Sequence, residues 1–421
     1  MSVAPLTSAR RTARTSVRQR EMGAGFWIVA LSLLLVLAVG TIPSPLYGLY
    51  QHRDGFSTFT ITLIFAAYSL GTTVSLFLVG HVSDWYGRKR ILLPGLAMSA
   101  ASALVLLLWR DLPGLFVGRV MGGLAVGAVS GTATAYVAEL RAASHPDESP
   151  RMVQLVSASV SVAGLGVGAL VSGLLAQYVT SPLTVPYLVF LGALLAAAIG
   201  AVLTPETRQR PVPPTKYHTQ RVSVPAQARR QFFAATAGAA VAFAGFGLFT
   251  SLAGFVLDGT LHRTALSLAG ATVFTVFAGA TAMQFITMSW NRRTVLVTGM
   301  ACMVGGVGLV VLAAWLSSPS LALFLIGGLS TGLGGGAMFK GSLVTVMVIS
   351  ELEHRAEAVA GLLLAGYVGL SVPAIGAGVA IDAGVSTRDT LLGFAIAVAI
   401  ALTLSVPVLL RQASQPAVVA Q

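Results

Sequence analysis

Two cations stand alone inside long apolar runs of this chain: Arg119, in Gly118-Arg119-Val120-Met121-Gly122-Gly123, and Lys340, in Met338-Phe339-Lys340-Gly341. A charged head in hydrocarbon costs roughly 3 kcal/mol or more, so each needs a partner, a wet cavity or a route to the interface. The chemistry open to them is electrostatic: compensating a charge, tuning a proton site or contacting an anionic group. For Arg119 the alternative is a structural role, bonded to backbone carbonyls freed elsewhere. For Lys340 it is a side chain that snorkels to the interface. No acid falls inside an apolar run, since Glu139, Asp258, Glu351 and Asp382 all stand at run ends. The six histidines lie in loop-like segments and the single cysteine, Cys302, in an apolar run, so no disulfide framework, metal site or cofactor is expected. A membrane enzyme needs clustered nucleophiles, carboxylates or ligands at membrane depth, and a pump needs a G-x-x-x-x-G-K-[ST] loop. Neither pattern occurs in the sequence, which therefore does not read as an enzyme.

The elements that carry these residues must be membrane helices. Of 421 residues 55% are hydrophobic and 10% charged, with a mean hydropathy of +0.83. Soluble domains carry about 25% charged residues, so this apolar surface belongs in lipid. Twelve stretches approach the roughly 20 residues that a bilayer crossing requires. They lie near 25–46, 59–80, 91–109, 113–137, 153–176, 185–203, 233–257, 266–288, 294–316, 321–346, 357–381 and 390–410. The organisation expected is a tail at 1–24, a six-helix bundle at 25–203, a Pro- and cation-rich linker at 204–231, a second bundle at 232–410 and a tail at 411–421. With tails and linker inside, cytoplasmic segments collect 20 of the 26 lysines and arginines. That bias orients the chain with both termini cytoplasmic. It also accounts for the +12 net charge without a nucleic-acid partner. The arginine-rich start, Arg10 to Arg20, precedes no convincing cleavage site and reads as the flank of an uncleaved first span.

Between the second and third stretches runs Gly80-His81-Val82-Ser83-Asp84-Trp85-Tyr86-Gly87-Arg88-Lys89-Arg90, a tight corner between two spans. Gly80 and Gly87 supply turn conformations, Asp84 can face the positive end of the next helix or pair with an arginine, and the cations hold the corner in the cytoplasm. The halves repeat: Arg88-Lys89 matches Arg292-Arg293 at an offset of 204, and Gly164, Gly168 and Gly173 match Gly369, Pro373 and Gly378 at 205. Gly123 and Gly127 are echoed by Gly332 and Gly336. The second corner has lost its acid, with Met288 where Asp84 would stand and Gln284 where Gly80 would.

The corner closely resembles the loop between helices 2 and 3 of the major facilitator superfamily, G-x-x-x-D-r-x-G-R-R/K-x, with Gly80, Asp84, Gly87, Arg88 and Lys89 in order. Arg119, Gly123 and Gly127 resemble that family's R-x-x-x-G-x-x-x-G in helix 4. Gly164 to Gly173 is similar to its helix 5 antiporter signature, G-x-x-x-G-P-x-x-G-G, except that Ala169 replaces the proline and Ser172 a glycine. That departure weakens the inference to antiport, and small residues at this spacing also simply let helices pack. The resemblance implies an all-α membrane fold of twelve helices in two six-helix repeats. It implies a monomer that works by alternating access around a site near the midplane.

The branch resembled is bacterial drug and metabolite efflux, which implies proton-coupled export of a small molecule from the inner (plasma) membrane. The alternative is an uptake symporter or a facilitator for an organic anion or other small metabolite, favoured by Arg119 and Lys340 without buried acids. Pro43 and Pro45 should break the first span, placing Ser44 and Tyr47 at a gate or cavity, and Phe246 is a further cavity position. Glu139 and Glu351 read as repeated exit acids joined to Asp84 in an inner-gate network, with Arg141, Arg151 and Arg355 as partners. Asp84→Asn is expected to impair transport while leaving the protein folded and inserted. Turnover in proteoliposomes beside a gel-filtration profile checks this, and wild-type turnover would refute the gate.

Overall fold

The computed structural model describes residues 4–79, 82–146, 148, 151–208, 224, 228–351 and 354–413. The chain opens with α1 (Ala4–Val39). Its first residues were expected as a tail, but an alanine- and arginine-rich sequence with no glycine or proline between Pro5 and Gly23 continues the helix of the first span. That helix stops where prolines begin. The amides of Gly40, Thr41, Ile42 and Ser44 reach back three residues rather than four. A single 3-10 turn (Ser44–Leu46) then leads into α2 (Tyr47–Asp54), closed by Gly55 at φ +70°.

The first half continues through α3 (Thr58–Val79), the corner helix α4 (Ser83–Tyr86), α5 (Arg88–Leu108), α6 (Leu112–Ser144), α7 (Arg151–Tyr178) and α8 (Val185–Leu203). The second half is α9 (Arg229–Gly259), α10 (Leu266–Ile286), α11 (Arg292–Trp315), α12 (Leu321–Ile349), α13 (Arg355–Asp382) and α14 (Thr387–Ala413). Twelve helices are long and apolar enough to cross a membrane, and no strand occurs among the described residues. The peripheral ones carry apolar stripes pointing away from the protein, as in Leu195 and Ile199 on α8 and Ile396, Ile400 and Leu404 on α14. Residues four apart share a helix face, so each stripe is a continuous surface for lipid rather than water.

An even number of crossings puts both termini on one face, the terminal face. Tyr178, Gly259 and Asp382 end their helices at the opposite, far face. The repeat reappears as matched helix contacts. Within the first half, α6 packs on α3 through Gly123 and Gly127, where an added Cβ would lie 2.1 Å from the Tyr68 carbonyl oxygen and 2.6 Å from that of Thr72. Within the second, α12 packs on α10 through Gly332 and Gly336, whose Cβ atoms would meet Val276 and Ala280 carbonyls at 2.0 and 2.6 Å. Without water to drive helices together, this close backbone approach and its van der Waals contact hold each half.

Helix α7 serves two seams. Gly164 and Gly168 fit against α1, at the carbonyls of Leu34 and Ala38, while Gly173 meets Leu266 and Gly270 of the other half. Helix α13 does the same in mirror fashion, with Gly369 against Ala240 of α9 and Gly378 against Phe59 and Thr62 of α3. Side-chain hydrogen bonds and an ion pair join the halves at the far face. At the terminal face, the bonds of Arg88, Lys89, Glu139 and Thr207 lie within the first half and that of Lys340 within the second.

Gly123→Val is expected to abolish monodisperse membrane protein, because the neighbour it would strike is backbone and cannot yield. Gly305→Ala, whose Cβ meets nothing within 4 Å, should behave as wild type. Detergent gel filtration of the two variants compares them.

Candidate functional site

At the terminal-face corner, Gly80 and the side chain of Asp84 lie outside the described residues, as does the side chain of Arg151. The backbone of Asp84 belongs to the single-turn α4. Gly87 follows at φ +104°, a conformation strained for any residue with a Cβ. Arg88 then turns inward, buried. Its Nε and Nη2 donate to the Glu139 carboxylate at 3.2 and 2.9 Å, and Nη1 donates to Ser83 Oγ at 2.7 Å.

A carboxylate that the sequence reading did not single out stands at the start of α5. Glu206, just past the end of α8, accepts the Arg88 and Lys89 amides, both at 3.0 Å. Oxygen acceptors there satisfy orphan amides and meet the positive end of the helix dipole. An added Cβ on Gly87 would lie 2.8 Å from Glu206 Oε2, so glycine is needed for its space as well as its φ. Lys89 Nζ donates to the Val202 carbonyl, Thr207 Oγ1 to Glu139, and Tyr136 OH to the Pro205 carbonyl at 2.6 Å. Pro205, Glu206 and Thr207 were read only as the start of the linker. The missed signal is an acid directly after an apolar run, on the same face of the bundle as the corner.

Glu351 is not a second copy of Glu139. Glu139 sits within α6, partly buried, whereas Glu351 lies past the end of α12 and is exposed. The 209-residue offset that carries Gly127 onto Gly336 carries Glu139 onto Val348, so the acid of the first corner's ion pair is not repeated at that position. Arg141, another expected partner, pairs with Glu148. In the second corner Asn291 occupies the position of Gly87 and caps α11 itself, its side-chain oxygen accepting the Thr294 amide at 2.8 Å.

Arg119 is 3% exposed and meets backbone rather than an acid. In the broken first span, Ser44 N bonds Thr41 O and Leu46 N bonds Pro43 O. The carbonyls of Gly40 and Ile42 thereby lose the amides four residues ahead. Arg119 Nη1 donates to Gly40 O, and the rest of the fork reaches Ile64 O and Phe65 O of α3, each at 3.4 Å. The guanidinium also lies 4.6 Å from the centroid of the Tyr68 ring. Ser172 Oγ donates to Ile42 O at 2.8 Å, and Thr41 Oγ1 donates to Leu165 O at 2.7 Å. The serine that departs from the antiporter signature thus supplies a hydroxyl where a glycine could not.

Lys340 is likewise engaged. Its Nζ donates to Thr287 Oγ1 at 2.9 Å and to Gln284 O at 3.4 Å, at the C-terminal end of α10 where a cation is favoured. The residues read as cavity positions separate. Ser44 and Tyr47 line a far-face cavity of about 320 Å³ with Gln177, Asp258 and Arg263. Phe246 is instead buried in the second half, tilted against Phe277 and Phe243. Phe243, partly exposed, meets Phe339 and Tyr367 edge-on at 5.3 and 5.6 Å. Ser69 and Ser371, on the seam between α3 and α13, are buried with hydroxyls that make no hydrogen bond.

Arg119→Lys is expected to lose most of the stabilisation lost in Arg119→Ala, since one ammonium cannot serve carbonyls on two helices. Leaving buried carbonyls unpaired costs about 1–3 kcal/mol each, which a thermal-stability assay on detergent-solubilised protein would read as a clear drop in melting temperature.

Relatives carry the same architecture. In a solved structure of a point mutant of the nucleoside transporter NupG, 99% of the chain aligns with 91% of this one at a TM-score of 0.67 and 12% identity. An uncharacterised MFS-type transporter of Methanocaldococcus jannaschii is 26% identical over 170 residues, 40% of this chain and 42% of the relative. The arabinose-proton symporter of Bacillus subtilis is 32% identical over 92 residues, 22% of this chain and 20% of its own. A triacylglyceride transporter of Mycolicibacterium smegmatis is 38% identical over 80 residues, 19% of this chain and 14% of its own. The chain therefore spans less than half the length of each curated relative. The Major Facilitator Superfamily model matches residues 29–288, which takes in the broken first span, the corner, Arg119 and the seam helices α7 and α10. With twelve membrane-capable helices and two packed repeats around that match, this multi-pass membrane protein belongs to the major facilitator superfamily of transporters.

Proposed function

We propose that this transporter exports small, neutral, amphipathic molecules by alternating access coupled to protons, with both termini in the cytoplasm. The observation that carries this reading is the position of the contacts between the halves. Side-chain bonds join them at the far face, beside the Gly173 and Gly378 seams, while the Arg88–Glu139 pair lies within the first half. With the arginine-rich segments in the cytoplasm, far-face contacts of this kind favour a state closed to the outside, the state in which an exporter loads. The corner network of Arg88, Glu139, Glu206 and Thr207 then braces the cytoplasmic end of the first half as a rigid unit, which suits rocking of one half against the other.

The character of the cargo follows from what the charges are doing. Arg119 and Lys340 are hydrogen-bonded to backbone carbonyls and a hydroxyl, which gives both a structural role. Their charge is not neutralised by these acceptors, so an organic anion stays the alternative cargo. What remains near the seam is aromatic, Phe243, Phe339 and Tyr367, with the unpaired hydroxyls of Ser69 and Ser371. Such a lining stacks flat or lipophilic groups and offers a few hydrogen bonds. The resemblance to a triacylglyceride transporter is compatible with lipophilic cargo. The resemblance to an arabinose-proton symporter favours a second reading, proton-driven uptake of a neutral polar metabolite.

The test uses purified protein in liposomes with a pH-sensitive dye inside, a proton gradient imposed, and a panel of neutral, cationic and anionic compounds. Export predicts proton movement opposite to that of a neutral aromatic substrate. Movement in the same direction would establish uptake, and flux without a proton signal would establish a facilitator. Tyr367→Ala and Phe243→Ala are expected to raise the half-saturating concentration of an aromatic substrate about tenfold, for the loss of roughly 1–1.5 kcal/mol of ring contact.

A further inference from the structure

The far-face closure is built from two matched caps, only one of which ionises. Gln177, at the end of α7, accepts the Leu266 amide of α10 through its side-chain oxygen at 2.7 Å. Asp382, at the end of α13, accepts the Thr58 and Phe59 amides of α3, each at 3.1 Å. Both side chains reach from one half to the first turn of a helix in the other. Gln177 and Asp382 are 205 residues apart, the same offset that relates Gly173 to Gly378 one turn earlier on each helix. The two glycines bring the helices close, and the two side chains fasten them.

We propose that Asp382 is the proton-responsive latch of the far-face gate: ionised, its carboxylate holds the halves together, and protonation from the far side releases it. The proposal rests on the alternating-access reading. The first turn of α3 depends on this carboxylate, since Ser57 serves only the Thr60 amide through its hydroxyl and the Ile61 amide through its carbonyl. The amides of Thr58 and Phe59 are left to Asp382. A carboxylate accepting two amides at a helix start gains from both the charge-assisted bonds and the dipole, and a neutral carboxyl keeps little of either. Asp382 is exposed, so protons reach it from the far-side solution.

The charged groups around this carboxylate are few, and most have partners of their own. Helix α3 has no charged residue. On α2, Arg53 is paired with Asp54, and His52 faces Asp258 of α9 at 3.8 Å. At the start of α14, Asp389 accepts the Ser386 hydroxyl at 2.6 Å, and Arg388 lies beside it. Arg263 belongs to the far-face cavity. The His52–Asp258 contact responds to acid in the opposite sense, because protonating the imidazole strengthens it. Both groups are exposed, so that contact is the weaker of the two.

The experiment measures the gate directly. Spin labels at Ser181→Cys and Val385→Cys, exposed far-face positions on opposite halves, are placed in a Cys302→Ser background in nanodiscs. Distance distributions are recorded from pH 7 to pH 3. A shift towards the longer distance on acidification, about tenfold in the ratio of open to closed, is expected for the loss of a charge-assisted cap. Asp382→Asn should be open and insensitive to pH across the range. Gln177→Glu, which places a second carboxylate on the other seam, should steepen the response. A wild-type pH response in Asp382→Asn, or an unchanged slope in Gln177→Glu, would overturn the latch. Distances that move when substrate is added but not with pH would overturn it while leaving alternating access standing. Distances that answer to nothing would remove both.

Discussion

The structure depends on the rule that a backbone carbonyl in hydrocarbon must have a donor. The first span breaks that rule at Gly40 to Leu46, where two prolines and a run of three-residue turns leave the carbonyls of Gly40 and Ile42 without their helical amides. Water does not reach that depth to repair the loss. Arg119 from α6 and Ser172 from α7 repair it instead, and in doing so tie three helices of the first half to one point. The arginine supports a bend that a regular helix could not make.

A second constraint sits at the corner, where the start of α5 needs an acceptor. Glu206, 117 to 118 residues away, accepts the Arg88 and Lys89 amides. That choice couples α5, α6 and α8, because the same cluster holds Arg88 against Glu139 and Thr207 against the same carboxylate. The second half solves the equivalent problem locally, with Asn291 capping its own helix. The halves share a fold and differ in how their terminal ends are fastened. The first is a braced unit, and the second has a cation, Lys340, on the end of α10.

The far-face seams show the repeat at its most regular. A glycine on α7 or α13 allows contact, and four residues later a side chain crosses to the partner half. A symmetrical scaffold with one neutral and one ionisable fastening turns a packing repeat into a device that solvent can address.

Composition and hydropathy determined the class, the twelve spans and the two repeats, because lipid leaves a chain few ways to satisfy its backbone and the length of each apolar run is set by the bilayer. The prolines of the first span announced its break, since proline has no amide to give. Glycine spacing announced where helices would approach closely, and the structure decided which helices they meet. Partner choice was beyond the sequence. Nothing local in Arg119 says whether it faces an acid, a cavity or a carbonyl, and only the packing of α6 against the broken span decided for the carbonyl. Glu206 read as part of the linker and Asp382 as an acid at the end of a run, and their work as caps on helices 117 and 324 residues distant depends on how the bundle closes. Charge and length are carried by the residue itself, whereas a hydrogen bond between distant helices is a property of the fold.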